Sequence, residues 1–436
     1  MGNTQSSPRN KTKGTQRQHR TIPRSHITVD RKPDATFNRS ISSQETFYND
    51  TRLTKKQSGE GLAYVPHIPP PHPQDDVAKA YHAFLKAFPE YQLTWIMDTL
   101  RRTDFTRLDR AEETYVDYMG GALYPDSLVR AHSTFLTQHI LGNTHSSSNS
   151  SKLSSGHAEE ARKAVLSFFK APPGYTVIFT PNASGALKLV GESYPFVEGS
   201  SYVLGADSHN SVHGIREYAS RNGAQVDYIP STNTGGFLIS TAQNILSRNR
   251  PKSQDNFPCL FTLTGQSNIS NAKPDLTILE YASLLGYDTL LDAAALAPTS
   301  SFSLSETPVD AMAISFYKMF GYPTGIGALI VKEAFLEKLR RPWFAGGTVD
   351  VVQVPGSIIT RAHKLHEQFE ASCSFEGSII LYLFTVSANT GWYHKLYDVT
   401  CGNQWPSLPL YLPSFSSTST FLSITLPYHI FGTITT

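Results

Sequence analysis

Apolar and polar positions divide the chain into four stretches. Residues 1–74 show no apolar periodicity. Residues 75–123 carry apolar positions at helical spacing. Residues 124–370 alternate between apolar runs of strand length and helical stretches. Residues 371–436 hold few charges; from Ser378 onward only Lys395 and Asp398 are charged. In the second stretch Val77, Ala80, Tyr81, Phe84, Leu85 and Phe88 follow Asp75 and Asp76, acids that suit the positive end of a helix. A second helix is expected over Tyr91–Arg101. Tyr115–Ala122 reads as a short strand running into a glycine turn, where backbone can approach a ligand or another loop closely.

In the third stretch, strands are expected at Thr176–Thr180, Tyr202–Leu204, Gln225–Ile229, Cys259–Leu263, Asp288–Asp292, Met312–Ile314 and Ala328–Val331. Helices are expected over Ser154–Phe169 and through Leu187, Leu189 and Val190. Strands separated by helices predict an α/β fold, a mostly parallel sheet flanked by helices. In such sheets ligands sit at the carboxyl ends of the strands.

Composition narrows the function classes. The net charge is +2, so no global nucleic-acid signature is present. Three cysteines, Cys259, Cys373 and Cys401, are too few and too scattered for a disulfide framework or a zinc site, and they fit a reducing compartment. No apolar run reaches the roughly 18 residues of a transmembrane helix. The start lacks the apolar core of a secretory signal, so a cytoplasmic location is expected. The tail over 1–74 is too polar to offset its ordering entropy and is expected to be disordered, closing in a stiff Pro-rich linker over Pro66–Pro73. Met1-Gly2-Asn3-Thr4-Gln5-Ser6 fits the N-myristoylation pattern, and six basic residues between Arg9 and Arg24 supply a second membrane signal; an ordinary basic tail reads the same way.

Four features carry candidate chemistry. Lys318 stands in Ser315-Phe316-Tyr317-Lys318, between two apolar runs and before the glycine-rich Gly321–Gly327. A desolvated lysine suits Schiff-base chemistry, although a lysine at a strand end can also keep its head in water. Pro181-Asn182-Ala183-Ser184-Gly185 joins a strand to a helix, either a phosphate cradle at a helix N-terminus or a plain turn. Asp207-Ser208-His209-Asn210-Ser211 follows another strand, and Asp292 ends a third, where an acid serves as a helix cap or a ligand group. Phosphate turn, aromatic ring, carboxylate and lysine, in that order on one sheet, are what pyridoxal 5'-phosphate (PLP) requires. The carboxylate keeps the pyridine nitrogen protonated, so the ring accepts electrons.

Together the stretches YVDYMGGALYP, LGNTHS, YTVIFTPNASGALKLV, DSHNSV, the Asp292 strand and SFYKMFGYPTGIGALIV resemble the class-V aminotransferase family of fold-type I PLP enzymes. Within it they are most similar to the PLP (NifS-like) domain of molybdenum cofactor sulfurases and their fungal relatives. The resemblance implies that Lys318 carries the internal aldimine, Asp292 pairs with the pyridine nitrogen and His209 stacks on the ring. It further implies that Ala183, Ser184 and Ser315 hold the phosphate, that Gln266 and Asn268 lie near the phenolic oxygen, and that Thr348 reaches a phosphate across a homodimer interface. The implied activity is sulfur transfer from an amino acid such as L-cysteine. Alternatives are C–S lysis, transamination, or a PLP-fold protein without turnover.

The similarity thins after Gln368-Phe369-Glu370. Residues 75–123 are expected to be a helical part of a small domain that is incomplete, since 371–436 does not resemble the rest of one. The family's substrate-carboxylate arginine and nucleophilic cysteine find no counterpart, and Cys373 and Cys401 read as incidental.

Overall fold

The computed structural model describes residues 76–251, 257–322 and 324–370. The basic tail with Gly2 and the Pro-rich linker, and the low-charge stretch with Cys373 and Cys401, lie outside the described residues.

Seven strands form one sheet: β1 (Tyr175–Thr180), β2 (Ser201–Gly205), β3 (Gln225–Ile229), β4 (Leu260–Thr264), β5 (Asp288–Asp292), β6 (Ala311–Ser315) and β7 (Gly327–Lys332). Their order is β1-β7-β6-β5-β4-β2-β3. β2 to β6 pair in parallel, while β7 is antiparallel to both β1 and β6. Two antiparallel pairings cancel, so β1 runs the same way as β6. Six carboxyl ends therefore face one edge of the sheet.

The strands form because β-branched, aromatic and leucine side chains fill consecutive positions, and both faces are covered. Along β1, Val177 and Phe179 join one core and Ile178 the other. The first core is closed by α5 (Asn149–Phe168), α9 (Ile239–Arg248) and α10 (Thr277–Leu284), through residues such as Val165, Leu246 and Ile278. The second is closed by α6 (Ala183–Ser193), α8 (Ile215–Arg221) and α12 (Glu333–Leu336), through Leu187, Ile215 and Phe335. The result is a three-layer α/β/α body.

Three local expectations change. Tyr115–Ala122 forms no strand; it is irregular with a turn at 118–120, because its backbone bonds within itself and to the lysine segment rather than to a sheet edge. The helix expected over Tyr91–Arg101 is a 3₁₀ turn, Pro89–Thr94, followed by α2 (Trp95–Asp104); α1 (Asp76–Ala87) precedes both, and α3 (Thr106–Ala111) and α4 (Asp126–Gln138) follow. α5 begins five residues before the expected Ser154, capped by Ser148, whose hydroxyl accepts from Ser151 N–H at 3.2 Å. A hairpin not expected from the pattern, β8 (Val349–Val352) with β9 (Ile359–Arg361), follows the sheet. Among the described residues no helix is long and apolar enough to cross a membrane.

Candidate active site

Register brings the first two pieces of the site together. Gly327, the first residue of β7, pairs with Thr180 on one side and Ser315 on the other. The turn after Thr180 therefore sits beside the end of β6. Asn182 caps α6, its Oδ1 accepting from Gly185 N–H at 2.9 Å, and Ser315 Oγ accepts from Ala183 N–H at 2.8 Å. Gly327 cannot carry a side chain, because a Cβ there would lie 2.5 Å from Asn182 Cα and from Ile314 O. The helix N-terminus is drawn onto the sheet at that point.

Ser315 then leads into α11 (Phe316–Phe320), a single turn that carries Lys318. Gly321 ends it at φ 74°, where a Cβ would meet Tyr124 N at 2.4 Å. Only glycine fits this left-handed position against the passing chain. His209 caps α7 (Asn210–His213), Nδ1 accepting from Ser211 N–H at 3.1 Å, so its hydrogen sits on Nε2. Ser211 Oγ and Ser184 Oγ share a hydrogen bond of 2.5 Å, which links this turn to the α6 terminus.

Asp292 ends β5, paired with Thr264 on one side and Ala313 on the other. It is buried, and among the described residues its carboxyl accepts one hydrogen bond, from Ala294 N–H to Oδ1 at 3.1 Å. Burial pushes its carboxyl above the usual range, against the pull of Ala294 N–H, His209 and Lys318. Burial also pushes Lys318 below the usual lysine range, while Asp292 and Asp117 favour its ammonium form.

These residues line one cleft. Eight of the nine residues singled out from the sequence lie in its wall: Ala183, Ser184, His209, Gln266, Asn268, Asp292, Ser315 and Lys318. Thr348 does not join them. It is buried elsewhere, its hydroxyl donating to Ala345 O at 2.8 Å and accepting from Ala345 N–H at 2.9 Å. Gln266 is more constrained than its position along the chain indicates. Thr299 donates to Oε1, and Nε2 donates to Asn271 Oδ1, so both ends of the amide are held. Asn182, Leu187, Thr264 and Tyr317 also line the cleft; the sequence pattern places Asn182 in the phosphate turn, Leu187 in the helix after it and Tyr317 beside Lys318, and marks none of them as a site residue.

The donor set fits a planar, phosphorylated, cationic heterocycle that bonds to an amine. A helix N-terminus with Ser184 and Ser315 suits the phosphate. A buried carboxylate that lines the cleft and accepts through Oδ1 from Ala294 N–H suits a protonated ring nitrogen at its other oxygen. Lys318 suits an aldehyde carbon. Such a site at the carboxyl edge of a sheet with one antiparallel strand defines a fold-type I, lysine-based cofactor protein.

The chain belongs to the class-V aminotransferase family, whose model matches residues 114–377. It is 34% identical over 328 residues to a molybdenum cofactor sulfurase of Arabidopsis thaliana, covering 67% of this chain and 40% of the relative. It is 33% identical over 287 residues to the human molybdenum cofactor sulfurase, covering 62% of this chain and 31% of the relative. The match thus spans less than half the length of these curated relatives. Among solved structures, the apo cysteine desulfurase from Thermococcus onnurineus NA1 superposes with a TM-score of 0.59 at 24% identity, covering 68% of this chain and 72% of that one. A cysteine desulfurase from Escherichia coli gives 0.54 at 22% identity, covering 67% and 71%. Class-V aminotransferase relatives and cysteine desulfurases are PLP enzymes.

Proposed function

We propose that this chain binds PLP through Lys318 and removes sulfur from L-cysteine, in the manner of the desulfurase part of a molybdenum cofactor sulfurase. The observation that carries this reading is the convergence of Lys318, buried Asp292, His209 and the α6 N-terminus in one cleft. The family and the curated relatives support it. When bound, the cofactor supplies an electron sink for the bond broken at the amino acid.

The protein's own groups supply the rest. Asp292 is the counter-charge for a protonated ring nitrogen, and its burial makes it hold that proton tightly. His209 lines the same space, where its ring would stack on the cofactor. Ser184, Ser315 and the α6 terminus orient the phosphate end. Burial pushes Lys318 below the usual lysine range, which favours the neutral amine that would bond to the cofactor's carbonyl carbon and accept a proton from the substrate's Cα at Nζ. Cys259, the described cysteine, is buried just before β4 and accepts from Ser201 N–H at 3.3 Å, so it is not a sulfur acceptor. Among the described residues no cysteine takes that role, and in the assay below an added thiol supplies it. We further propose that the enzyme works as a homodimer, and that Gly2 and the basic tail bring it to membrane surfaces.

Purified protein supplied with PLP is expected to absorb in the visible, and borohydride is expected to fix the cofactor onto the Lys318 peptide. With L-cysteine and a thiol reductant it is expected to release sulfide and alanine in equal amounts. Pyruvate and ammonia in place of alanine would make it a C–S lyase. A colourless protein that takes up no PLP would sink the reading altogether.

A further inference from the structure

Ser184 and His209 line the cleft from two different helices, and Ser211 bonds to both of them. Its N–H donates to His209 Nδ1 at 3.1 Å, and its Oγ lies 2.5 Å from Ser184 Oγ. Ser184 stands in the first turn of α6 and Ser211 in the first turn of α7, 27 residues further along the chain.

The sheet fixes where Ser211 stands. Val212 is fully buried, and its carbonyl accepts from the Tyr202 hydroxyl at 2.8 Å. Tyr202 is itself fully buried in β2. Val212 N–H and His213 N–H donate to His209 O at 2.9 and 3.1 Å, which closes the turn around Ser211. Ser184 is exposed at the start of α6, one residue after Ala183, whose N–H is taken up by Ser315 Oγ. A serine hydroxyl turns freely about its C–O bond, and a partner anchored to β2 removes that freedom.

A hydroxyl has one proton to give and two lone pairs to receive with, so the bond between Ser184 and Ser211 can run in either direction. If Ser184 donates, it turns lone pairs alone toward the cleft, and these repel an anion. If Ser211 donates, the Ser184 proton is free for an anion, and the incoming bond polarises it further. We propose that Ser211 is a positioning residue for the phosphate end of the cofactor, donating to Ser184 Oγ so that Ser184 gives its own proton to the phosphate. The proposal rests on the function proposed above. The Ser211 hydroxyl serves the phosphate side of the site and its N–H serves the ring side, through His209 Nδ1. The two roles are separable, because a side-chain substitution removes the first and keeps the second.

The test is equilibrium binding to the full chain freed of cofactor. The probes are PLP, pyridoxine 5'-phosphate, which lacks the aldehyde, and pyridoxal, which lacks the phosphate. In Ser211→Ala both phosphorylated probes are expected to bind about three- to ten-fold more weakly. Pyridoxal is expected to bind as it does to wild type, which also reports that the variant is folded. Ser211→Thr keeps the hydroxyl and is expected to restore wild-type binding of all the probes. Ser184→Ala with Ser211→Ala is expected to lose no more than Ser184→Ala alone, because Ser211 acts through Ser184. Unchanged binding of the phosphorylated probes to Ser211→Ala overturns the proposal. So does an equal loss for pyridoxal, or a double variant whose loss is the product of the two single fold-losses. A wild type that binds none of the probes overturns the cofactor reading, and the proposal with it.

Discussion

A carboxylate closed inside a sheet with one protein donor is costly to keep ionised. Asp292 is in that position, and so the site is stressed before any cofactor arrives. Its folded pKa lies above the ordinary 3.8. The folded state therefore binds this proton more tightly than the unfolded state does. The stability it contributes is fully present below about pH 3.8 and is lost as pH rises through the folded value. Asp292→Asn removes that penalty. Without cofactor the variant is expected to melt roughly 2–4 °C above wild type near neutral pH, with the gap closing toward pH 4. The same variant is expected to lose PLP on dialysis, because a neutral amide holds no protonated ring nitrogen. Calorimetry across pH and the visible spectrum after dialysis check the two halves. A variant less stable than wild type at neutral pH would show that Asp292 is stabilised by partners other than those identified.

At the scale of elements, β1 is an edge strand, and an edge leaves backbone groups open. Glu370 closes this one. Its Oε1 accepts from Phe179 N–H at 2.6 Å and from Arg162 at 2.7 Å, and its Oε2 accepts from Arg162 at 2.5 Å. Arg162, from α5, also donates to Val177 O at 2.5 Å and lies 4.8 Å from the Phe179 ring centre. Donor and acceptor of the open edge are thus both satisfied by one buried ion pair, just before the turn that holds Ala183. Breaking such a pair from one side leaves a buried charge and costs about 3–5 kcal/mol, whereas an apolar pair of similar volume costs far less. Glu370→Ala and Arg162→Ala are each expected to fall in that range by urea unfolding. Arg162→Met with Glu370→Leu is expected to lose less than either alone. A double variant that loses the sum of the two single losses would mean the residues act independently.

The element scale also separates what the pattern of the chain disclosed from what it hid. All seven strands of the main sheet were legible, because each is an apolar run of strand length between turns. Lys318, Asp292 and His209 were legible as strand-end or turn residues for the same reason. The partners of these residues were not. Nothing local links Arg162 to Glu370, Gln266 to Thr299, or Ala122 to Tyr317, since those pairings join segments far apart in the sequence. Tyr115–Ala122 misled for a related reason. Its apolar residues resemble a strand, but among the described residues it pairs with no strand, and Gly121 and Ala122 seat it on α11 instead.

For the whole molecule, a ligand that binds only the folded state must stabilise it by mass action. PLP at about 100 times its dissociation constant contributes about 2.7 kcal/mol, or a rise of roughly 5–10 °C in melting temperature for a body of this size. Lys318→Ala is expected to keep part of that rise, through phosphate and ring contacts, and to lose the slow release that a covalent bond gives. Differential scanning fluorimetry with and without PLP tests this. No rise in wild type would contradict the cofactor assignment.

The class of the fold and the identity of the reactive groups follow from the order of residues along the chain. Period, turn chemistry and residue type are local properties, and they already place an acid, a histidine, a phosphate turn and a lysine at strand ends. The shape of the site does not follow from that order. The reversal of β7 makes Gly327 the shared neighbour of Thr180 and Ser315, and only that register lays the α6 terminus against the lysine turn. Burial turns Asp292 and Lys318 from ordinary ionisable side chains into shifted ones, and burial is a property of everything packed around them. Free energies of that kind depend on distance and desolvation in space, which neighbours in sequence do not set.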